Sequence, residues 1–232
     1  MKLTLILKLL FVYVFIFLVL LGLSLSSSNE HAIYKMTITL LLLWVGVCGG
    51  VMILLRKKIA LIVQLIPIPW QIKFFLFTIL LILIEEAITT TLTNLASNFG
   101  GIIGKAYITA STNYFHVVLF HSAISFVPWI IVLLFYLSKY DIPALDGFVV
   151  FGILGTVAET MINPYALVAG FWIFVYGFMV YLPLYSLPKR RDANKPSLLV
   201  YVSIIFVSLL VSIPWILMVM YVRNVLQIPF FF

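Results

Sequence analysis

The sequence predicts an all-α protein, a bundle of about seven helices that crosses a membrane several times. Of its 232 residues, 65% are hydrophobic and only 9% are charged, whereas a soluble domain has roughly 25% charged residues. The apolar residues are also gathered in runs long enough to cross a bilayer. The composition therefore excludes a water-soluble enzyme, a disordered chain and a soluble protein that binds nucleic acid.

Each predicted span is an apolar run close to the roughly 20 residues that a helix needs to cross a hydrocarbon core of about 30 Å. The seven runs cover residues 3–25, 37–55, 74–96, 114–138, 147–163, 165–187 and 198–221. The fifth run ends at Asn163-Pro164, which is typical of a helix end followed by a turn. Together they predict a single transmembrane domain over residues 1–232.

The first run has a second interpretation. Lys2, the apolar stretch that follows and the serines between positions 24 and 28 resemble a secretory signal with small residues at its end. Lys8 lies inside the run and fits neither interpretation well, although a lysine near a helix end can extend its amine to the interface. The sequence leaves both interpretations open.

The distribution of basic residues predicts a cytoplasmic N-terminus and an external C-terminus. With this orientation, ten basic residues fall inside, namely Lys2, Arg56, Lys57, Lys58, Lys73, Lys139, Lys189, Arg190, Arg191 and Lys195. Only Lys35, Lys105 and Arg223 fall outside. Because basic residues gather on cytoplasmic loops and contact anionic headgroups, we expect a multi-pass protein of the cell membrane whose first partner is the bilayer.

Two connecting segments have unusual composition. Residues 59–71 are apolar but contain Pro67, Pro69 and Trp70, which predicts an interfacial or re-entrant segment on the cytoplasmic face. Residues 97–113 are rich in Gly, Asn, Ser and Thr, which predicts an external loop that folds back towards the membrane. The glycines of this loop form no phosphate-binding motif, since no strand or P-loop lysine accompanies them.

The acidic residues inside the spans are the most informative feature of the chain. Glu85, Glu86 and Glu159 lie in apolar runs, where an ionised carboxylate costs on the order of 3 kcal/mol by insertion scales. At 100° per residue, Glu86 shares a helix face with Thr90 and Asn94, whereas Glu85 points elsewhere. Glu86 is therefore the stronger candidate for a central role.

Neighbouring spans supply the other candidate polar residues. The fourth carries His116 and His121, and the fifth carries Glu159 with Asn163 one turn later. At about 1.5 Å per residue, Glu86, His121 and Glu159 lie roughly 15, 10 and 6 Å from the outer ends of their spans. Consecutive helices with short connections usually pack side by side, so we expect these residues to meet in the outer half of the membrane.

This polar cluster permits several kinds of chemistry. Glu86, His121 and Glu159 are weak candidates for a divalent metal site, because two carboxylates and an imidazole are suitable ligands. The same residues are also suited to binding a small or lipid-like ligand, or to moving protons between an acid and a base. A third interpretation is a hydrogen-bond network that only holds the helices together. The sequence identifies no cofactor.

Two families show partial likeness to the glutamate pair. A pair in one membrane helix and a histidine in the next resemble the CAAX-type intramembrane metalloproteases, whose motifs are EExxxR, FxxxH and HxxxN. Here Thr90 replaces the arginine, Val117 the aromatic residue, and Glu159 the last histidine. Paired glutamates also resemble the acid catalysts of membrane carotenoid cyclases, but Leu83 stands where those enzymes have proline. Neither family is assigned.

Three functional hypotheses follow. The first is a membrane protein whose polar cluster binds a lipid-like or small ligand or handles protons. The second is a membrane enzyme that acts on a lipid or isoprenoid by acid-base or metal-assisted chemistry. The third is an accessory subunit of a membrane complex. Gly46 and Gly50 form a GxxxG motif that predicts close helix packing or a homodimer, and the single cysteine, Cys48, excludes a disulfide framework.

Overall fold

The protein is an all-helical bundle in the computed structural model, which describes residues 2–162, 165–188 and 193–231. Five helical stretches in this part of the chain are long and apolar enough to cross a membrane: Leu3–Ser24, Ser28–Leu65, Tyr114–Lys139, Ala144–Met161 and Leu198–Val225. Trp172–Tyr185 is a shorter apolar helix. The all-α prediction is confirmed, whereas the count of seven spans and the orientation of the termini stay predictions.

Ten α-helices are seen in the described residues, together with a π-helical segment, Leu41–Cys48, and a 3₁₀ turn, Ala96–Phe99. The α-helices are α1 Lys2–Ser24, α2 Ser28–Leu40, α3 Gly49–Leu65, α4 Trp70–Asn94, α5 Tyr114–Phe120, α6 Ser122–Lys139, α7 Ala144–Ile162, α8 Tyr165–Ala169, α9 Trp172–Tyr185 and α10 Leu198–Val225. The fifth predicted span ended at Asn163-Pro164, which lie outside the described residues.

The second predicted span is much longer than the run 37–55. It begins with a capping box, in which the Ser27 hydroxyl accepts from Glu30 N–H and the Glu30 side chain accepts from Ser27 N–H. It then continues through the π-helical segment to Leu65. Residues 59–65 and 70–71 of the expected interfacial segment are therefore helical, and only 66–69 form the turn. The position of 59–71 relative to a membrane stays a prediction.

The fourth predicted span is broken at His121. The backbone of His121 is non-helical, with φ −138° and ψ −93°, so α5 ends before it and α6 begins after it. Pro128 lies inside α6. Proline leaves the carbonyl four residues earlier without its helical donor, and here the indole N–H of Trp215 donates to Ile124 O at 2.9 Å.

Helices α7 and α9 pack most closely, because glycines remove the side chains between them. A Cβ atom added at Gly152 would lie 2.5 Å from the carbonyl oxygen of Ile173, and one added at Gly155 would lie 2.1 Å from the ring of Tyr176. The predicted GxxxG pair behaves differently. A Cβ atom at Gly50 would meet nothing within 4 Å, and one at Gly46 only Leu41 O at 3.7 Å. Close packing through this pair within the chain was therefore a wrong expectation.

The first helix is attached loosely to the bundle. Among the described side chains of α1, only Val14 and Leu18 are buried. The Tyr13 hydroxyl donates to Val168 O at 2.6 Å, and the Tyr34 hydroxyl donates to Leu18 O at 2.9 Å. Most of the helix surface therefore faces away from the rest of the protein.

The two ends of the bundle differ in composition. At one end, which we call the loop end, residues 96–113 lie against the start of α2 and against residues 226–231. Ile102 N–H donates to Asn29 Oδ1 at 3.0 Å, and Phe231 N–H donates to Ala110 O at 2.9 Å. The opposite end, the basic end, carries Lys57, Lys73, Lys139 and Lys195. The loop that was expected to fold back is thus held by backbone hydrogen bonds.

Candidate functional site

Both glutamates of α4 are buried, each with 4% of its surface exposed. Helix α4 packs against α5, α6 and α9 and therefore has an unusually wide buried face. Glu85 lies within electrostatic reach of both Glu86 and Glu159. Both glutamates were candidates, with Glu86 the stronger one and Glu85 expected to pair with a neighbouring helix, but the width of this face brings both carboxyl groups into one region.

Glu86 is held by hydroxyl groups on its own helix and on α6. The Thr89 hydroxyl lies 3.3 Å from Glu86 Oε2, at hydrogen-bonding distance. The side chain of Ser122, the first residue of α6, also lies close to the Glu86 carboxyl group. Nearby, the Tyr114 hydroxyl donates to Leu83 O at 3.0 Å and ties α5 to α4. Glu86 therefore marks the junction of α4, α5 and α6.

The third carboxyl group comes from α7 and has a phenol as its partner. The hydroxyl of Tyr176 on α9 donates a hydrogen bond to Glu159 Oε1. Tyr176 is 8% exposed and lies within electrostatic reach of Glu85 and Glu86 as well. Gly155 makes this arrangement possible, because its missing side chain leaves room for the Tyr176 ring four residues before Glu159.

His121 lies beside this cluster and is connected to it through Ser122. Its Nδ1 atom lies 2.6 Å from Ser122 Oγ, while its ring meets the ring of Phe230 edge-on at 5.5 Å. Because Ser122 also interacts with Glu86, it links the imidazole to the carboxyl cluster. On the other side of His121, the guanidinium group of Arg223 lies over the Phe230 ring at 4.6 Å.

The remaining candidate residues do not join the carboxyl cluster through any hydrogen bond that the described residues show. Thr90 is buried and its hydroxyl has no hydrogen-bond partner there. Asn94 is exposed and its amide donates to Thr112 O at 2.9 Å. The Nδ1 atom of His116 is buried without a partner in the same part of the chain. Asn163 lies outside the described residues.

The electrostatic feature of the site is an excess of acidic groups. Three carboxyl groups lie within electrostatic reach of one another, and within the ranges that the structure covers no lysine or arginine pairs with them. The described residues also contain no group of three or more His, Cys, Asp or Glu side chains arranged to hold a metal ion. The partners of Glu86 and Glu159 are hydroxyl groups, those of Thr89 and Tyr176.

Two contributors to this cluster were missed in the sequence. Neither Tyr176 nor Ser122 stood out as a candidate site residue in the sequence. A useful signal for Tyr176 is present, since a tyrosine inside an apolar span needs a partner for its hydroxyl group. No sequence signal identifies Ser122, because its role depends on the helix break at His121.

No family model, no curated protein and no solved structure matches this chain.

Proposed function

We propose that this is a multi-pass membrane protein that binds and releases protons at the carboxyl cluster, defined as Glu85, Glu86 and Glu159. The observation that carries the proposal is the convergence of two buried acids of α4 and one half-buried acid of α7, with no lysine or arginine paired with them among the described residues. In a low-dielectric interior, neighbouring negative charges repel strongly. A bound cation offsets the repulsion, and the proton is the smallest one.

The surrounding hydroxyl groups support this proposal. A carboxyl group that gains and loses a proton needs partners that can both donate and accept, and hydroxyl groups do both. Thr89 and Ser122 lie at Glu86, and Tyr176 lies at Glu159. The other titratable or charged groups that face the cluster or its connection are Tyr114, His121 and, next to His121, Arg223. The site can therefore accommodate both protonation states.

Ser122 also supports a route for the proton. Its hydroxyl carries a single hydrogen, which points either to Glu86 or to His121 Nδ1. Turning this hydroxyl, together with proton transfer at each end, passes a proton between the carboxyl group and the imidazole. The route leads from the cluster towards Phe230 and Arg223 at the loop end. With the predicted orientation, this is the external side.

Infrared spectroscopy of the purified protein tests the proposal. As the pH is varied, the C=O stretching band of protonated carboxylic acids should change, and a defined part of this change should disappear in Glu86→Gln and in Glu159→Gln. Asp141→Asn is the matched control, because Asp141 is an exposed acid outside the cluster.

Two results would argue against proton binding. One is a pH-dependent band that is identical in wild type and in folded Glu85→Gln, Glu86→Gln and Glu159→Gln proteins. The other is that the three glutamine substitutions leave the band unchanged but destabilise the fold. That result would favour the packing interpretation. Co-purification of a stable protein partner, with loss of that partner in all three variants, would favour the accessory-subunit hypothesis.

A further inference from the structure

A second feature lies at the basic end, far from the carboxyl cluster along the chain. A groove of about 660 Å³ separates α3 from the C-terminal end of α9. We call it the α3–α9 groove, and its lining consists of Lys57, Ala60, Leu61, Gln64, Tyr185, Leu187 and Pro188. Its size falls within the range of small-molecule sites, roughly 300–1,000 Å³.

The polar side of this groove is positively charged. Lys57 is exposed and lines it directly. The Arg56 guanidinium lies 5.3 Å from the centre of the Tyr185 ring and donates to the Tyr181 hydroxyl at 2.8 Å. Lys73 Nζ donates to Gln64 O at 2.9 Å, which places a third cation at the edge. Among the described residues that line the groove there is no aspartate or glutamate.

The other side of the groove is apolar and continues along the outer surface of α3. Leu61 lines the groove and is also 64% exposed, while Leu54 and Leu65 on the same helix face are each 82% exposed. Residues 54, 61 and 65 follow one side of a helix because their spacing is close to whole turns. A groove of this kind is complementary to an amphiphile with a negative head and a hydrocarbon tail.

We propose that the α3–α9 groove binds the head group of one anionic phospholipid, with its phosphate group at Lys57 and an acyl chain along Leu54. Charge complementarity selects an anionic head over a zwitterionic one, because each lysine near an anionic lipid contributes about 1 kcal/mol. The exposed leucines select a membrane lipid over a free phosphate, which has no apolar part to bury. The two lysines of α3 differ, since Lys57 faces the groove and Lys58 does not line it.

Lipid titration of the purified full-length chain in detergent micelles tests this proposal. Phosphatidylglycerol should raise the temperature of thermal unfolding in a saturable manner, because a ligand that binds only the folded state stabilises it. Lys57→Gln should weaken binding, so that the lipid concentration for half-maximal stabilisation rises about fivefold, the equivalent of about 1 kcal/mol. Lys58→Gln removes the same charge at the adjacent position and should leave the lipid concentration for half-maximal stabilisation unchanged.

Further arms make the test decisive. Ala60→Leu narrows the groove without changing its charge and should also weaken binding, whereas Lys57→Arg should retain it even if Lys57→Gln does not fold. Equal losses in Lys57→Gln and Lys58→Gln would overturn the proposal in favour of general surface attraction. Equal stabilisation by phosphatidylcholine, or full competition by inorganic phosphate, would overturn it as well.

Discussion

A single hydroxyl group stabilises the acid of α7. Tyr176 donates to Glu159 while most of its own ring is buried. We predict that Tyr176→Phe lowers the free energy of unfolding by about 1–3 kcal/mol, because a buried polar group loses its partner. Reversible unfolding in mixed detergent micelles measures this change. Tyr221→Phe is the control, since Tyr221 is 70% exposed, and an equally small effect of both substitutions would contradict the assignment.

Ser122 has a testable role of its own in proton transfer. If Ser122 connects Glu86 with His121, Ser122→Ala should slow the hydrogen–deuterium exchange of the cluster carboxyl groups by at least about tenfold. This factor is smaller than the rate enhancement that a positioned proton-transfer group usually contributes. Time-resolved infrared spectroscopy in D₂O measures the rate. Ser125→Ala provides the comparison, because the Ser125 hydroxyl donates to the backbone oxygen of His121 instead. Unchanged exchange in Ser122→Ala would remove Ser122 from the route.

The sequence predicted the three acids and a meeting of Glu86 with Glu159, but not that Glu85 lies within electrostatic reach of both. Glu85, Glu86 and Glu159 stand out because charge is rare in apolar spans. Their convergence depends on helix rotation, and the hydrophobic pattern of α4 is too uniform to fix its rotation. Tyr176 and Ser122 are ordinary residue types in membrane helices, so their roles become visible only when α6 and α9 are placed beside α4.

At the scale of helices, the closest contact lies between α7 and α9. The atoms nearest to an added Cβ at Gly152 belong to the backbone of Ile173 and cannot turn away. We predict that Gly152→Ala destabilises the protein by about 1–3 kcal/mol through overpacking. Gly50→Ala has open space around it and should stabilise α3 by up to about 1 kcal/mol through helix propensity.

Thermal unfolding in detergent distinguishes these two glycine substitutions by the sign of the shift. A stabilised Gly152→Ala protein would show that α7 and α9 are further apart than the structure indicates. The comparison also shows what a sequence motif misses. Gly46 and Gly50 have the recognised spacing for close packing, yet Gly152 and Gly155, without that spacing, provide it here.

Helix boundaries were predictable only where the sequence contains a strong stop signal. The turn at 66–69 contains two prolines and ends α3, whereas the gradual increase in polarity before residue 37 does not interrupt the helix, which begins at Ser28. The break at His121 has no such signal, because no proline or glycine lies next to it. Tertiary contacts at the loop end, including the one with Phe230, accompany this break.

At the scale of the whole molecule, the distribution of basic residues predicts which end faces the cytoplasm. In a Cys48→Ser background, Lys105→Cys at the loop end should react with a membrane-impermeant maleimide in intact cells. Lys195→Cys at the basic end should react only after permeabilisation, because both side chains are exposed but lie at opposite ends. The reverse labelling pattern would invert the orientation.

The weak attachment of α1 has a consequence for access from the bilayer. Two tyrosine hydrogen bonds and a few apolar contacts, such as that between Phe11 and Phe174, join this helix to its neighbours. Helix α1 could therefore separate from the bundle with the loss of few contacts. Separation of α1 would expose α8 and the start of α9 to lipid. Trp172 stacks there on Tyr176, the partner of Glu159, so the bilayer would gain access to the region beside the carboxyl cluster.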